Sequence, residues 1–145
     1  MTPPKPYESQ PILVVDDSED DFYATERALA KANLYNPIAH AASGESALEW
    51  LESKATAKPG LILLDLNMPG IDGRKTLEII KRNSSLKTIP VVILTTSDDE
   101  RDVEACYALG ANTYIQKPVN FDGLIEAMKR LKGYWFEIAL LPKDG

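Results

Sequence analysis

Reactive side chains stand at the ends of several predicted strands, and the clearest case is Asp65. The apolar run of residues 61–64 leads directly into Asp65, and a turn with Pro69 and Gly70 follows. A continuous apolar run bounded by turn residues is typical of a strand buried on both faces of a parallel sheet. Ligands of open α/β sheets bind at the carboxyl ends of the strands, so Asp65 is a candidate site residue. For one isolated strand end, an Asp that only caps the following loop remains an alternative.

Three further strand ends carry polar groups of complementary chemistry. One strand ends in Asp16 and Asp17, another ends in Thr95, and a third leads to Lys117. The carboxyl ends of parallel strands share one edge of a sheet, so these groups can converge. Clustered carboxylates repel one another and raise their pKa values, and a divalent cation would relieve this repulsion. Oxygen ligands with open positions suit Mg²⁺, which keeps waters and accepts a phosphate oxygen.

These residue types predict a phosphoryl-transfer site. A carboxylate can attack phosphorus and form an aspartyl phosphate. The charge on the transferring group must be held by a metal ion, a lysine and hydrogen-bond donors. Asp65 is the best candidate nucleophile because it is central, with the acidic pair and Asn67 placed to hold the metal. Taken singly, each group has a structural alternative: Asp16 and Asp17 as a helix cap, Thr95 as a strand end and Lys117 as a solvated cation.

Predicted strands and helices alternate five times along the chain, which is typical of βα units. That order predicts an α/β fold, a three-layer doubly wound sheet of five parallel strands with helices on both faces. Ser18 is the predicted N-cap of the first helix, with Asp21 as its capping-box partner. This helix is expected to run to about Asn33 and to bury Phe22 and Leu29.

Composition limits the classes of function. The chain has 145 residues and a formal net charge of -6. Its length suits one domain, and its acidic balance argues against a nucleic-acid-binding surface. Cys106 and His40 are single residues of their kind without ligand spacing, so both are expected to be structural. No stretch resembles a signal peptide or a membrane span, so we expect a cytoplasmic protein without membrane contact.

Over about residues 11–132, the chain resembles the receiver domains of two-component response regulators, in particular those similar to chemotaxis regulators. Four segments carry the resemblance in the family's order and spacing, each at a predicted strand end. They are VVDD at 14–17, LLDLNMPGIDG at 63–73, ILTT at 93–96 and YIQKP at 114–118. The resemblance implies a flavodoxin-like sheet with strand order 2-1-3-4-5, and a signalling protein with intrinsic phosphoryl transfer and autodephosphorylation rather than an enzyme.

The same resemblance assigns roles to individual residues. Asp65 would accept a phosphoryl group from a phosphohistidine on a sensor histidine kinase. Asp17 and Asp65 would bind Mg²⁺ directly, together with the backbone carbonyl of Asn67, and Mn²⁺ could substitute. Asp16 would act mainly through a water molecule, and Lys117 would pair with the phosphate.

The resemblance also implies a conformational switch. Thr95 would move toward the phosphate, and Tyr114 would swing inward into the space that Thr95 leaves. This movement would change the surface formed by the fourth helix, the fifth strand and the fifth helix. The Lys117–Pro118 peptide bond would be cis, as is usual in the family.

The apolar C-terminal segment suggests a subgroup. We expect a flexible leader at 1–11, a receiver domain at 12–132 and an apolar extension at 133–145, and we expect no output domain. The extension resembles that of single-domain regulators that partner cyanobacterial and bacterial phytochromes. It implies a phytochrome histidine kinase as partner and a homodimer, although the segment folding back on its own domain remains an alternative. The residues expected at the dimer or partner contact are Tyr134, Trp135, Phe136, Ile138 and Leu140.

Functions of other classes fit the pattern less well. A haloacid-dehalogenase-type phosphatase, which would use Mg²⁺ with an aspartate nucleophile, places that nucleophile on the first strand and its acidic pair late in the chain. A flavodoxin-like cofactor binder needs a phosphate loop where this chain has Asp16 and Asp17. A phosphorylation-independent scaffold would have no need of the intact acidic set.

Overall fold

The computed structural model describes residues 10–54 and 58–134. Five strands and five helices alternate along these residues, as the sequence predicts. The helices and strands are β1 Ile12–Val15, α1 Glu19–Lys31, β2 Ile38–Ala41, α2 Gly44–Glu52, β3 Leu61–Leu64, α3 Gly73–Arg82, β4 Val91–Thr95, α4 Glu100–Ala108, β5 Thr113–Gln116 and α5 Phe121–Lys132.

The strands form one parallel sheet in the order β2-β1-β3-β4-β5, which confirms the predicted fold class. Alternate residues of each central strand enter two separate apolar clusters. Leu13 and Val15 of β1 pack with side chains of α2, α3 and α4, whereas Ile12 and Val14 pack with α1 and α5. The sheet is therefore the middle layer of three, and β1, β3 and β4 are buried on both faces.

Helix α1 starts as predicted but lacks the predicted capping box. Ser18 is the N-cap, and its side chain accepts a hydrogen bond from the backbone N–H of Asp21 at 3.2 Å. The reciprocal bond does not form, because the Ser18 N–H donates to Asp16 Oδ1 and the Asp21 carboxylate pairs with Lys117. The helix ends at Lys31, and Asn33 has a left-handed backbone with φ 62°, as is common just beyond a helix end.

Gly73 lets α3 start directly against the strand end that carries Asp65. A Cβ at this position would lie 2.2 Å from the Asp65 carbonyl oxygen and 2.6 Å from Leu66 Cα. The Gly73 N–H donates to the Leu66 carbonyl at 3.0 Å and ties the helix start to the same turn. Only glycine permits this close approach, so the backbone around Asp65 is fixed by α3.

The only cysteine and the only histidine of the chain, Cys106 and His40, both lie in packed surroundings. Cys106 is buried in the cluster between the sheet and α4. The His40 ring stacks on Phe22 with centroids 3.9 Å apart, and its Nε2 is 2.8 Å from the Asp16 carbonyl oxygen. Among the helices of the described ranges, none is long and apolar enough to cross a membrane.

The predicted C-terminal contact falls largely outside the described residues. Trp135, Phe136, Ile138 and Leu140 lie beyond them, as does most of the proposed leader at 1–11. Tyr134 is described and its side chain is exposed. The assignment of 133–145 to a dimer or partner contact stays a prediction.

Candidate functional site

The carboxyl edge of the sheet brings the predicted site residues together. Asp16 and Asp17 follow β1, Asp65 follows β3, Thr95 ends β4 and Lys117 follows β5. These strands are neighbours in the sheet, so their ends form one row. Asp16, Asp65 and Thr95 are buried, whereas Asp17 is exposed to solvent.

Lys117 connects the row by ion pairs. Its Nζ lies 2.8 Å from Asp16 Oδ2, 3.1 Å from Asp21 Oδ2 and 3.5 Å from Asp65 Oδ2. Burial alone would lower the pKa of Lys117, but the carboxylates of Asp16, Asp65 and Asp21 together raise it above its ordinary value. The ammonium therefore stays charged at neutral pH and is available to an anion at this edge.

Both oxygens of Asp16 already have partners. Oδ1 accepts from the Ser18 N–H at 3.0 Å, and Oδ2 accepts from Lys117. Burial raises the pKa of Asp16 above its usual value, and the hydrogen bonds from Lys117 and Ser18 offset only part of this effect. A carboxylate with both oxygens engaged is better suited to hold a metal-bound water than to bind the ion directly, in line with the predicted role.

Asp17 and Asp65 have the more available oxygens. Within the part of the chain that the structure describes, Asp17 makes no hydrogen bond or ion pair. The contacts of Asp65 are long: the Asn67 N–H lies 3.4 Å from Oδ1, and Lys117 lies 3.5 Å from Oδ2. Asp65 is thus buried yet weakly held, which suits a group that must bind a cation or attack an electrophile.

The acidic cluster fits a divalent cation. Asp16, Asp17 and Asp65 each offer one carboxylate oxygen, and these oxygens all lie within 4.8 Å of one another. Ligands at about 2.1 Å from a common ion lie roughly 3–4 Å apart, so small adjustments would complete the site. Carboxylates alone, without His or Cys, favour a hard cation such as Mg²⁺ or Mn²⁺ over a transition metal that prefers nitrogen or sulfur.

The Thr95 hydroxyl is buried without a hydrogen bond. Thr95 is 0% exposed, and its Oγ1 has no partner among the described residues. Leaving a buried hydroxyl unsatisfied costs about 1–3 kcal/mol, and such groups are uncommon in folded proteins. This observation marks Thr95 as a candidate for a ligand contact rather than a simple strand end.

Tyr114 is half-buried and is tied to the loop after β4. Its hydroxyl donates to the Ser97 carbonyl at 2.9 Å, and the Ser97 hydroxyl donates to Asp102 Oδ2 at 2.7 Å. Asp102 in turn accepts hydrogen bonds from Arg74 of α3. The hydrogen bonds of Ser97 and Arg74 lower the pKa of Asp102, so this carboxylate stays ionised at neutral pH. Tyr114 is thereby linked to both α3 and α4.

Sequence reasoning was wrong about one backbone feature. No cis peptide bond occurs in the described ranges, so the Lys117–Pro118 bond is trans. The trans form of an X–Pro bond is favoured by about 0.5–1 kcal/mol, and nothing in the pattern YIQKP itself reverses that preference.

Two participants were missed by the sequence analysis. Asp21 was assigned to helix capping, yet its carboxylate reaches Lys117, which lies 96 residues further along the chain. The Arg74–Asp102 pair spans α3 and α4 and stabilises the loop that carries Ser97. The only available signal was the position of Asp21 in the first turn of α1, directly after the strand end that carries Asp16 and Asp17.

Comparison with known proteins identifies the family. Residues 12–129 match the response regulator receiver domain family, and the chain belongs to it. Such proteins are signalling proteins, and divalent-metal binding is typical of them. The five-stranded fold and the acidic cluster at the carboxyl edge agree with this assignment.

The similar proteins include phytochrome response regulators. The chain is 38% identical to the response regulator Rcp1 of Synechocystis sp., an alignment that covers 90% of this chain and 92% of Rcp1. The phosphorylated cyanobacterial phytochrome response regulator RcpA superposes with a TM-score of 0.85 at 36% identity, covering 92% of this chain and 98% of RcpA. The Mn²⁺-bound form of Rcp1 gives a TM-score of 0.83 at 38% identity, covering 92% of this chain and 99% of that one. The chain is thus a receiver-type response regulator akin to these proteins.

Proposed function

We propose that this protein accepts a phosphoryl group on Asp65 from the phosphohistidine of a sensor histidine kinase. One Asp65 Oδ forms a bond to phosphorus as the N–P bond breaks, and the departing imidazole keeps the bond electrons. The observation that carries this proposal is the weakly held carboxylate of Asp65, placed beside the Lys117 ammonium and two further carboxylates.

The surrounding residues have distinct proposed roles. Asp17, Asp65 and the Asn67 carbonyl would hold Mg²⁺ directly, and Asp16 would hold it through water. When bound, the ion would neutralise charge on the phosphoryl oxygens. Lys117 would pair with one phosphoryl oxygen, and the Thr95 hydroxyl would donate to another. The Mn²⁺-bound form of Rcp1 supports a divalent ion in a relative of this chain.

The proposed output is a change of the surface formed by α4, β5 and α5. Movement of Thr95 toward the phosphate opens space beside β5. Tyr114 would then leave the Ser97 carbonyl and turn inward, which alters the loop that Asp102 and Arg74 now hold. The phosphorylated and unphosphorylated proteins would present different surfaces to a partner.

A phytochrome-type histidine kinase is the proposed donor. RcpA is a phytochrome response regulator, and both RcpA and Rcp1 are similar to this chain along nearly their whole length. We expect rapid transfer of label from such a kinase, autophosphorylated with radiolabelled ATP, to this protein in Mg²⁺ buffer. The measurement is the loss of label from the kinase band and its gain in the 16.0 kDa band over time.

The matched control is a histidine kinase of another sensory class, labelled to the same extent. Transfer from the phytochrome kinase at least about tenfold faster than from the control would support the partner assignment. Equal rates from both kinases would leave the phosphoacceptor role intact and contradict the phytochrome pairing. No transfer from either kinase, nor from a small phosphodonor, would contradict the phosphoacceptor role itself.

We also propose a homodimer formed through the α4–β5–α5 surface with help from the apolar C-terminal segment. Two exposed aromatic side chains belong to this part of the sequence, Tyr107 in α4 and Tyr134 two residues after the end of α5. Exposed apolar patches usually mark interfaces. The apolar groove beside the edge strand is lined by Thr113, Ile115, Ala127, Arg130, Leu131 and Tyr134.

Truncation after Lys132 is expected to convert a dimer into a monomer. The truncated chain loses Tyr134 and the apolar residues that follow, but keeps Leu131 and the whole of α5. Gel filtration of both chains over a range of concentrations measures the change. A full-length protein that already elutes as a monomer, with an unchanged volume after truncation, would contradict the proposal.

A further inference from the structure

Lys117 donates two hydrogen bonds, one to Asp16 and one to Asp21, and Asp21 is not among the predicted site residues. Its Nζ is 2.8 Å from Asp16 Oδ2 and 3.1 Å from Asp21 Oδ2, both within hydrogen-bond geometry. The distance to Asp65 Oδ2 is longer, at 3.5 Å. The ammonium is therefore held nearer to a carboxylate of α1 than to the residue that would be phosphorylated.

We propose that Asp21 is a positioning residue that holds Lys117 toward α1 and thereby slows phosphoryl acceptance by Asp65. This inference rests on the proposed function of Asp65. When the phosphoryl group arrives, Lys117 turns from Asp21 to a phosphoryl oxygen. Asp21 thus sets how readily the ammonium is released to the incoming anion.

The exposure of the partners shows which of them Lys117 can leave. The Asp21 side chain is 51% exposed, compared with 4% for Asp16 and 10% for Asp65. Water can solvate the Asp21 carboxylate once Lys117 moves away, so this exchange costs little. Breaking the contact with Asp16 would leave a buried charge without a partner, which is far more costly.

The charge at the site also favours this role. Asp16, Asp17, Asp65 and Asp21 bring four carboxylates to an edge whose described ion pairs contain a single cation, Lys117. Every phosphodonor is an anion, so the negative charge of Asp21 opposes its approach. Asp21 is the member of this set that can be neutralised without touching a proposed metal ligand.

A simpler role for Asp21 is to stabilise the first turn of α1, whose N-terminus favours acidic residues. Asp20 is a matched control for this role, because it lies in the same turn and is exposed. In the described part of the chain, the Asp20 side chain makes no hydrogen bond or ion pair. Asp20→Asn therefore removes the same charge from the same helix end without touching Lys117.

The test compares the initial rate of labelling by acetyl phosphate in Mg²⁺ buffer for the wild type, Asp21→Asn, Asp20→Asn and Asp21→Glu. We expect Asp21→Asn to be about twofold to fivefold faster than the wild type, the range of a half-exposed ion pair. The labelling rate of Asp20→Asn should remain close to that of the wild type at about 0.15 M salt, because the charge that is removed is exposed and screened by the salt. Asp21→Glu should restore the wild-type rate, because the longer side chain still reaches Lys117.

A second readout is independent of group transfer. Beryllofluoride mimics a phosphoryl group on a carboxylate, and its dissociation constant can be measured by calorimetry with Mg²⁺ present. Asp21→Asn should bind it tighter by the same factor, and Asp20→Asn should not. Equal behaviour of the two Asn variants, or a slower Asp21→Asn, would overturn the positioning role. A wild type that is not labelled at all would instead contradict the proposed function of Asp65.

Discussion

Asp65→Asn is expected to abolish labelling of the protein by acetyl phosphate. In the wild type, the Asp65 carboxylate forms a bond to phosphorus while the bond to the acetyl oxygen breaks, and acetate leaves with the bond electrons. The amide that replaces this carboxylate is a poor nucleophile with no negative charge, so the rate should fall at least about a hundredfold. Intact mass spectrometry after incubation with Mg²⁺ should find one phosphoryl group on the wild type and none on the variant.

The structure explains why the variant should still fold. Among the described residues, the Asp65 carboxylate has only long contacts, at 3.4 Å with the Asn67 N–H and 3.5 Å with Lys117, and an amide of the same shape can keep its place. Lys117 retains Asp16 and Asp21 as partners. Removing one of three clustered carboxylates also lowers the repulsion among them. The circular dichroism spectrum and the melting temperature of the variant should therefore stay close to those of the wild type.

Two controls make the result specific. Glu52→Gln removes an exposed carboxylate at the last residue of α2, a helix that ends at the opposite edge of the sheet from the acidic cluster, and should be labelled like the wild type. A chelator added before acetyl phosphate should prevent labelling of the wild type, because the carboxylates then have no cation to share. Equal labelling of the wild type and Asp65→Asn would show that another nucleophile is modified and would contradict the assignment of Asp65.

The sequence was sufficient to predict which side chains meet at this edge of the sheet, because each of them follows a local pattern. An apolar run that ends in a polar residue is visible without knowledge of the fold, and five such runs separated by helices predict a parallel sheet. Convergence of Asp16, Asp65, Thr95 and Lys117 then follows from the geometry of parallel strands alone. The family resemblance added the order 2-1-3-4-5, which alternation by itself does not determine.

Features that depend on contacts between distant segments were not predictable in the same way. The pattern Ser18–Asp21 predicted a capping box, but the Ser18 N–H donates to the neighbouring Asp16 carboxylate, and the Asp21 carboxylate accepts from Lys117, 96 residues further along the chain. A local preference of about 1 kcal/mol is easily overcome by a charged hydrogen bond. The Arg74–Asp102 pair likewise depends on the packing of α3 against α4.

Thr95→Val is expected to stabilise the unphosphorylated protein and to remove its response to phosphorylation. Valine has the shape of threonine without the hydroxyl, and the Thr95 Oγ1 is fully buried with no partner among the described residues. Replacing it should raise the free energy of unfolding by about 1 kcal/mol, because an unsatisfied polar group is removed from the interior. The melting temperature should rise by about 3 °C for a chain of this size.

Thr76→Val is the matched control for stability. Thr76 is also fully buried, but its hydroxyl donates to the Asp72 carbonyl at 2.9 Å. The same substitution there removes a satisfied hydrogen bond and should lower the free energy of unfolding by about 1 kcal/mol. Opposite signs for the two variants in urea denaturation would show that the Thr95 hydroxyl is held at a cost, whereas a loss in both would show that it has a partner in the resting protein.

The Thr95→Val variant also distinguishes phosphorylation of Asp65 from the conformational switch. Asp65 and Lys117 are unchanged in Thr95→Val, so the protein should still take up one phosphoryl group, with a slower rate. Without the hydroxyl, nothing draws residue 95 toward the phosphate, and Tyr114 should keep its hydrogen bond to the Ser97 carbonyl. NMR signals of Tyr114 should shift on beryllofluoride binding in the wild type and stay in place in the variant. A Tyr114 shift of equal size in both would mean that the buried hydroxyl of Thr95 does not couple the acceptor site to the α4–β5–α5 surface.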